Sequence, residues 1–180
     1  MNWVIVPVAI VLILHNFVFQ AFHVVGSSMT PTLQEADYLI ISKLGATGAK
    51  ISGLFGKQTP YIPKRGEIVV FHYPKDPGLV FVKRVIGVPG DHVVLKDGKV
   101  TVYNQANPSG YDPIKDLKLA SDVTLGGFDD TVPGGNVFVL GDNRLPNGSY
   151  DSREWGYLPS SYIIGEASLR LIPLKDARLL

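Results

Sequence analysis

The first 22 residues constrain the fold most. Trp3 to Leu14 (WVIVPVAIVLIL) is an unbroken apolar run of 12 residues, and it continues past His15 and Asn16 into Phe17-Val18-Phe19 and past Gln20 into Ala21-Phe22. At roughly 1.5 Å per residue, a helix from Trp3 to Phe22 would match a ~30 Å hydrocarbon core. His15, Asn16 and Gln20 are costly at a bilayer centre. The clean dozen alone also fits a buried helix or a signal-peptide core. No charged stretch precedes the run and no small-x-small cleavage site comes after it, which argues against a removable signal peptide. The expectation is one N-terminal transmembrane helix, an anchor over residues 1–22. Charge does not orient it, because the first lysine is Lys43.

The rest of the chain must fold without that segment. Its runs are short and β-rich: Tyr38-Leu39-Ile40-Ile41, Glu67 to Phe71, Leu79 to Ile86, His92 to Leu95, Lys99 to Tyr103, Asn136 to Leu140 and Ser161 to Ile172. Asp97-Gly98 between two such runs is a strong hairpin signal. With 19 Gly and 13 Pro and no alternating helical periodicity, the expectation is a mostly β domain over residues 23–180. Gly45 to Tyr61 reads as a glycine-rich loop insertion. Residues 104–135 read as a second one, with at most a helical turn near Ile114 to Leu119. No repeat is present.

Composition removes several chemistries. The chain has no cysteine, which excludes disulfides, thiolate catalysis and zinc–cysteine sites. A net charge of +1 gives no footprint for nucleic acid. His15, His23, His72 and His92 form no ligand-spaced pair, and no glycine loop after a strand cradles phosphate. The reading is therefore no metal and no cofactor.

Three features carry possible chemistry. Lys83 lies inside Phe81-Val82-Lys83-Arg84-Val85, and on a strand it shares a face with Phe81 and Val85. An ammonium in such a setting is desolvated, its pKa falls, and a free amine becomes available as a general base. A lone strand lysine otherwise snorkels or guards a sheet edge. Ser28 stands in the turn GSSMTPTL, and the acidic, serine-containing stretch GDNRLPNGSYDSREWG spans residues 141–156. Singly, the last two read as a tight turn and a polar surface loop.

In this order, GSSMTPTL, VKRVIGVPGD and GDNR with SYDSREWG resemble the three signature boxes of bacterial type I signal peptidases. RGEIVVF and IIGEASLRLIPL are similar to that family as well. The resemblance implies an all-β catalytic domain of coiled antiparallel sheets and a serine–lysine dyad. In it Ser28 is the nucleophile, its backbone N–H an oxyanion donor, and Lys83 the general base. Ser149 matches a hydroxyl that orients the lysine, and Asp142, Arg84, Asp151 and Arg153 match charged positions that brace the site. Phe22, Val24 and Val82 match positions lining shallow pockets for small side chains.

The implied activity is removal of signal peptides from exported preproteins after a small-x-small motif. The implied setting is the cell membrane, with a single pass and the catalytic domain on the extracytoplasmic side. The partners are then the signal peptide, the lipid bilayer and the secretion translocon. The runner-up is a non-catalytic, membrane-tethered relative acting as an assembly factor, which a missing lysine would have marked. A self-cleaving repressor would need an N-terminal DNA-binding domain in place of the apolar run. Two departures from the pattern stand out. Gly26 replaces a hydroxyl that assists the oxyanion hole in some relatives, as it does in Gram-positive ones. Four residues, Leu145 to Gly148, separate Arg144 from Ser149 where the family usually has two.

Overall fold

The computed structural model describes residues 2–13, 17–56, 60–117, 119, 121–172 and 177–180. It opens with the helix α1 (Asn2–Ile13). Then come strands β1 (Phe19–His23) and β2 (Tyr38–Ser42), helix α2 (Leu44–Leu54), and strands β3 (Ile68–Tyr73), β4 (Asp76–Gly87), β5 (His92–Lys96), β6 (Lys99–Asn104), β7 (Asn107–Tyr111), β8 (Phe128–Thr131) and β9 (Asn136–Leu140). A short helix α3 (Ser152–Trp155) and strands β10 (Leu158–Pro159), β11 (Ile163–Ile172) and β12 (Arg178–Leu179) complete the order. The mostly β, antiparallel architecture matches the expectation from the sequence.

The larger sheet runs β1-β2-β11-β3-β4-β9-β10, with β12 paired to β11, and the smaller runs β7-β6-β5-β8. In β5 and β6 the inward residues Val93, Leu95, Val100 and Val102 alternate with outward ones, as a half-buried strand requires. Asp97 and Gly98 between them both have positive φ, the geometry that closes a two-residue hairpin with the right twist. That face packs on Ile86, Phe138 and Leu140 of the larger sheet, joining the two sheets through one core. A second cluster gathers Met29, Leu33, Leu39, Ile41, Ile68 and Val70. Its two residues from the turn, Met29 and Leu33, are what fasten the Ser28 segment to the sheet.

Three expectations are corrected. Residues 19–22 are not helical: Phe19–His23 pairs antiparallel with Tyr38–Ser42, so the end of the apolar segment is an edge strand of the larger sheet. The backbone groups on one side of it pair with β2, and its side chains alternate in exposure. Among the described residues no helix is long and apolar enough to cross a membrane. Leu14 to Asn16, including His15, lie outside the described residues.

The expected loop at 45–61 is helical over its first part, Leu44–Leu54. Glycine lowers helix propensity, but small residues permit close packing. A Cβ at Gly45 would overlap the Tyr61 ring. Residues 104–135 are not wholly irregular either. Asn107–Tyr111 and Phe128–Thr131 are strands that pair with β6 and β5 at the two edges of the smaller sheet, where pairing overrides weak local propensity.

Candidate active site

Ser28 sits in the turn that leaves β1. Gly26 opens that turn at φ +89°, a conformation that disfavours a side chain, although the space around it is empty. Thr30 N–H donates to the Ser27 carbonyl and Leu33 N–H to that of Met29. Two further bonds arrive from the far end of the chain. Asn143 N–H donates to the Ser28 carbonyl at 3.0 Å, and its side-chain Nδ2 donates to the Ser27 carbonyl at 3.1 Å. The turn is thus clamped both by the buried Met29 and by the segment after β9.

Lys83 comes from β4, an interior strand flanked by β3 and β9. It pairs with Val69, and only 3% of its surface is exposed. Its ammonium donates to Ser28 Oγ at 2.7 Å and to its neighbour's carbonyl, Val82 O, at 2.9 Å. The Phe81 ring lies 5.5 Å from Nζ. Burial is the main influence on the amine and lowers its pKa to about 8, with Arg153 adding to the fall and the carboxylates of Asp151 and Asp142 opposing it.

Those two carboxylates are held in place by arginines. Arg84 forms a fork on Asp142 through Nε at 2.9 Å and NH2 at 2.6 Å, and it reaches the Gly66 carbonyl as well. Thr32 Oγ1 donates to the same Asp142, tying the Ser28 turn to the fork. Asp151 caps α3 by accepting from Arg153 N–H, accepts from Gly141 N–H at 3.0 Å, and is clasped by the Arg153 guanidinium. Both carboxylates are fully buried, so removing either arginine would strand a charge.

Ser149 lies on the other side of Gly141. A Cβ at Gly141 would collide with Ser149 Oγ and with the Ser28 carbonyl, so only glycine fits between them. The Ser149 hydroxyl is buried and makes no hydrogen bond, to the Lys83 amine or to another group. Phe22, Val24 and Val82 line a cleft of about 160 Å³ together with Ser28, Val80 and Lys83. Of these, Val24 is fully buried while Phe22 and Val82 are half-buried.

Sequence reasoning missed Asn143, Arg144 and Thr32. Arg144 is completely buried, donating to the Gly141 carbonyl and to Thr124 Oγ1. The signal was present in GDNR, where a polar run directly succeeds the apolar strand β9. No local rule says that such a run is buried.

Residues 55 positions apart in sequence are thus joined by a hydrogen bond between a hydroxyl and a desolvated amine, and comparison with known proteins gives the family in which they stand. The model of the family "Signal peptidase, peptidase S26" matches residues 1–172. The chain belongs to that family. It is 36% identical over 174 residues to signal peptidase I of Leptolyngbya laminosa, covering 93% of this chain and 75% of that protein. It is also 36% identical over 178 residues to signal peptidase I of Bacillus caldolyticus, covering 95% and 89%. A crystal structure of a signal peptidase I from Enterococcus faecalis V583 is 28% identical, covering 60% of this chain and 98% of that one at a TM-score of 0.45. Within this S26 family member, the three quoted motifs come from the turn after β1, from the end of β4 with its following turn, and from the segment after β9 through α3.

Proposed function

We propose that this chain is a membrane-anchored endopeptidase that removes N-terminal signal peptides from exported preproteins, with Ser28 as nucleophile and Lys83 as general base. The observation that carries the reading is the 2.7 Å contact between Lys83 Nζ and Ser28 Oγ in a buried setting. A lysine whose pKa has fallen to about 8 is partly neutral near physiological pH. In its neutral form it accepts the Ser28 proton as Oγ attacks the scissile carbonyl, then returns that proton to the leaving amine. Water deacylates the enzyme through the same amine. The Ser28 N–H stabilises the oxyanion; at Gly26 the positive φ leaves a side-chain donor disfavoured. Ser149 supplies a supporting hydroxyl, and Asp142, Arg84, Asp151 and Arg153 hold the turn and the base in register.

The substrate binds as an added strand along the cleft, a common mode of peptide recognition. Phe22, Val24 and Val82 then close on small side chains, which gives the small-x-small preference by steric overlap. The apolar segment ahead of β1 anchors the domain, which stands on the extracytoplasmic side beside the secretion translocon. The test uses the purified full chain, a preprotein with a small-x-small site, and the variants Ser28→Ala and Lys83→Ala. The wild type should release one new N-terminus directly after the motif, identified by mass. Each variant should lose roughly 10³-fold or more in kcat/KM. A variant within a few-fold of wild type contradicts the dyad, and a wild type that never cleaves favours the assembly-factor alternative.

A further inference from the structure

Helix α2 has its apolar side outward. Ala46 is buried, Ala49 and Gly53 are half-buried, and all three share the face toward β11 and Tyr61. The opposite face carries Leu44, Gly48 and Ile51, continued at the helix end by Leu54 and Phe55. At about 100° per residue, positions 44, 48, 51 and 55 fall within roughly 60° of one another. Leu44 is 58% exposed, Ile51 48%, Leu54 85% and Phe55 82%. A helix on a water-facing surface normally shows the reverse pattern. The segment from Lys43 to Gly56 contains Lys43 and Lys50 and no acidic residue. An outward apolar face whose neighbouring charges are all cationic is the composition of an interfacial helix on an anionic surface.

Its position in the fold points the same way. β1 and β2 are antiparallel with Phe19 opposite Ser42, so the chain enters β1 and leaves β2 at one end of the pair. Lys43 N–H donates to the Val18 carbonyl there, at 2.7 Å. The lead-in from the apolar N-terminus, with Phe17 and Phe19 exposed, and the start of α2 therefore emerge side by side. A second groove, lined by Ala46, Thr47 and Lys50 of α2, also includes Phe22 and Val80, which line the cleft beside Ser28. The cleft thus opens toward α2.

We infer that α2 is an interfacial helix that lays its Leu44, Ile51 and Phe55 face on the lipid bilayer and seats the mouth of the cleft at the membrane surface. The inference rests on the anchored peptidase reading, and supplies it with a second contact that fixes the height and tilt of the domain. A signal peptide leaving the bilayer would then meet the groove beside α2 before it reaches Ser28.

The chain has no cysteine, so single-cysteine labels report cleanly. Full-length Ile5→Cys, Ile51→Cys, Phe55→Cys and Lys99→Cys variants would be labelled with an environment-sensitive fluorophore. Each is then reconstituted into phosphatidylcholine vesicles containing phosphatidylglycerol and nitroxide-labelled lipid. Labels at 5, 51 and 55 should be quenched by the lipid, and the label at 99, on the smaller sheet, by aqueous iodide only. Quenching at 5 without quenching at 51 and 55 overturns the inference while leaving the anchor intact. Quenching at 51 and 55 alone supports it and overturns the anchor, and quenching at none of the three overturns both. Labels at 51 and 55 shielded from iodide and lipid alike indicate a second copy of the chain, and also overturn it. As a functional arm, the double variant Leu54→Glu, Phe55→Glu should keep its rate on a short peptide in detergent. On a preprotein embedded in vesicles it should lose roughly tenfold or more; an equal loss on both substrates contradicts the membrane role.

Discussion

At the residue scale, the site depends on one charged side chain held where water would not choose to put it, Lys83. Lys83 is charged in the unfolded chain up to its ordinary pKa near 10.4 and loses that charge in the folded protein above about 8. Below pH 8 the fold therefore holds an ammonium in a desolvated place at a cost, and between about 8 and 10 the unfolded chain binds more protons than the native one. Stability should rise with pH through that window on account of this group. Replacing it by an apolar residue of similar length, Lys83→Met, should abolish cleavage yet stabilise the protein at pH 7, by an amount on the order of 2–3 kcal/mol. Urea denaturation at pH 7 and pH 9.5 checks both sign and window: the advantage of the variant should shrink at the higher pH. Gly141 is a second sensitive position. Gly141→Ala would push a methyl against Ser149 Oγ and the Ser28 carbonyl, and should cost roughly 1–3 kcal/mol of stability and a much larger share of kcat. A peptide assay beside a thermal melt separates the two losses. Ser28 and Lys83 could be picked out of the sequence only as a pair, through the order of three motifs that resemble one family; singly they read as a turn serine and a strand lysine. Asn143 and Thr32 could not be picked out, because their work is to bond segments more than 100 positions away.

At the element scale, the turn after β1 and the segment after β9 form one clamp. Asp151 joins its parts by capping α3, accepting the Gly141 N–H and pairing with Arg153. Asp151→Ala removes all of these at once and leaves the largely buried Arg153 guanidinium without its carboxylate. It should destabilise by roughly 3–5 kcal/mol, read as a lowered denaturation midpoint at unchanged slope. Strands with alternating β-branched residues, such as β5, β6 and β9, could be read directly from the sequence. The edge strands β7 and β8 could not, since Asn-Pro-Ser-Gly-Tyr and Phe-Asp-Asp-Thr form strands only when a neighbour supplies the pairing. The apolar segment misled in the opposite direction. Hydropathy extended one helix through residue 22, whereas Phe19–His23 pairs with β2, a tertiary choice that hydropathy does not encode.

At the scale of the whole molecule, the larger sheet determines the chemistry by location. It places β4 in the interior between β3 and β9, with Lys83 opposite Val69 of β3, while β1 forms an edge of the sheet. The smaller sheet packs on Ile86 and Phe138 in a core shared with the larger one, behind β4 and β9. The central claim is that this burial turns a lysine into a base that works at moderate pH. The most direct measurement is the pH dependence of single-turnover kcat/KM on a short peptide substrate, with chemistry limiting. Cleavage should rise about tenfold per pH unit below a midpoint near 8 and level off above it, because only the neutral amine can take the Ser28 proton. A rate that is flat from about pH 6 to pH 9 would show that no such group governs the reaction, and would contradict the assignment of Lys83 as its base.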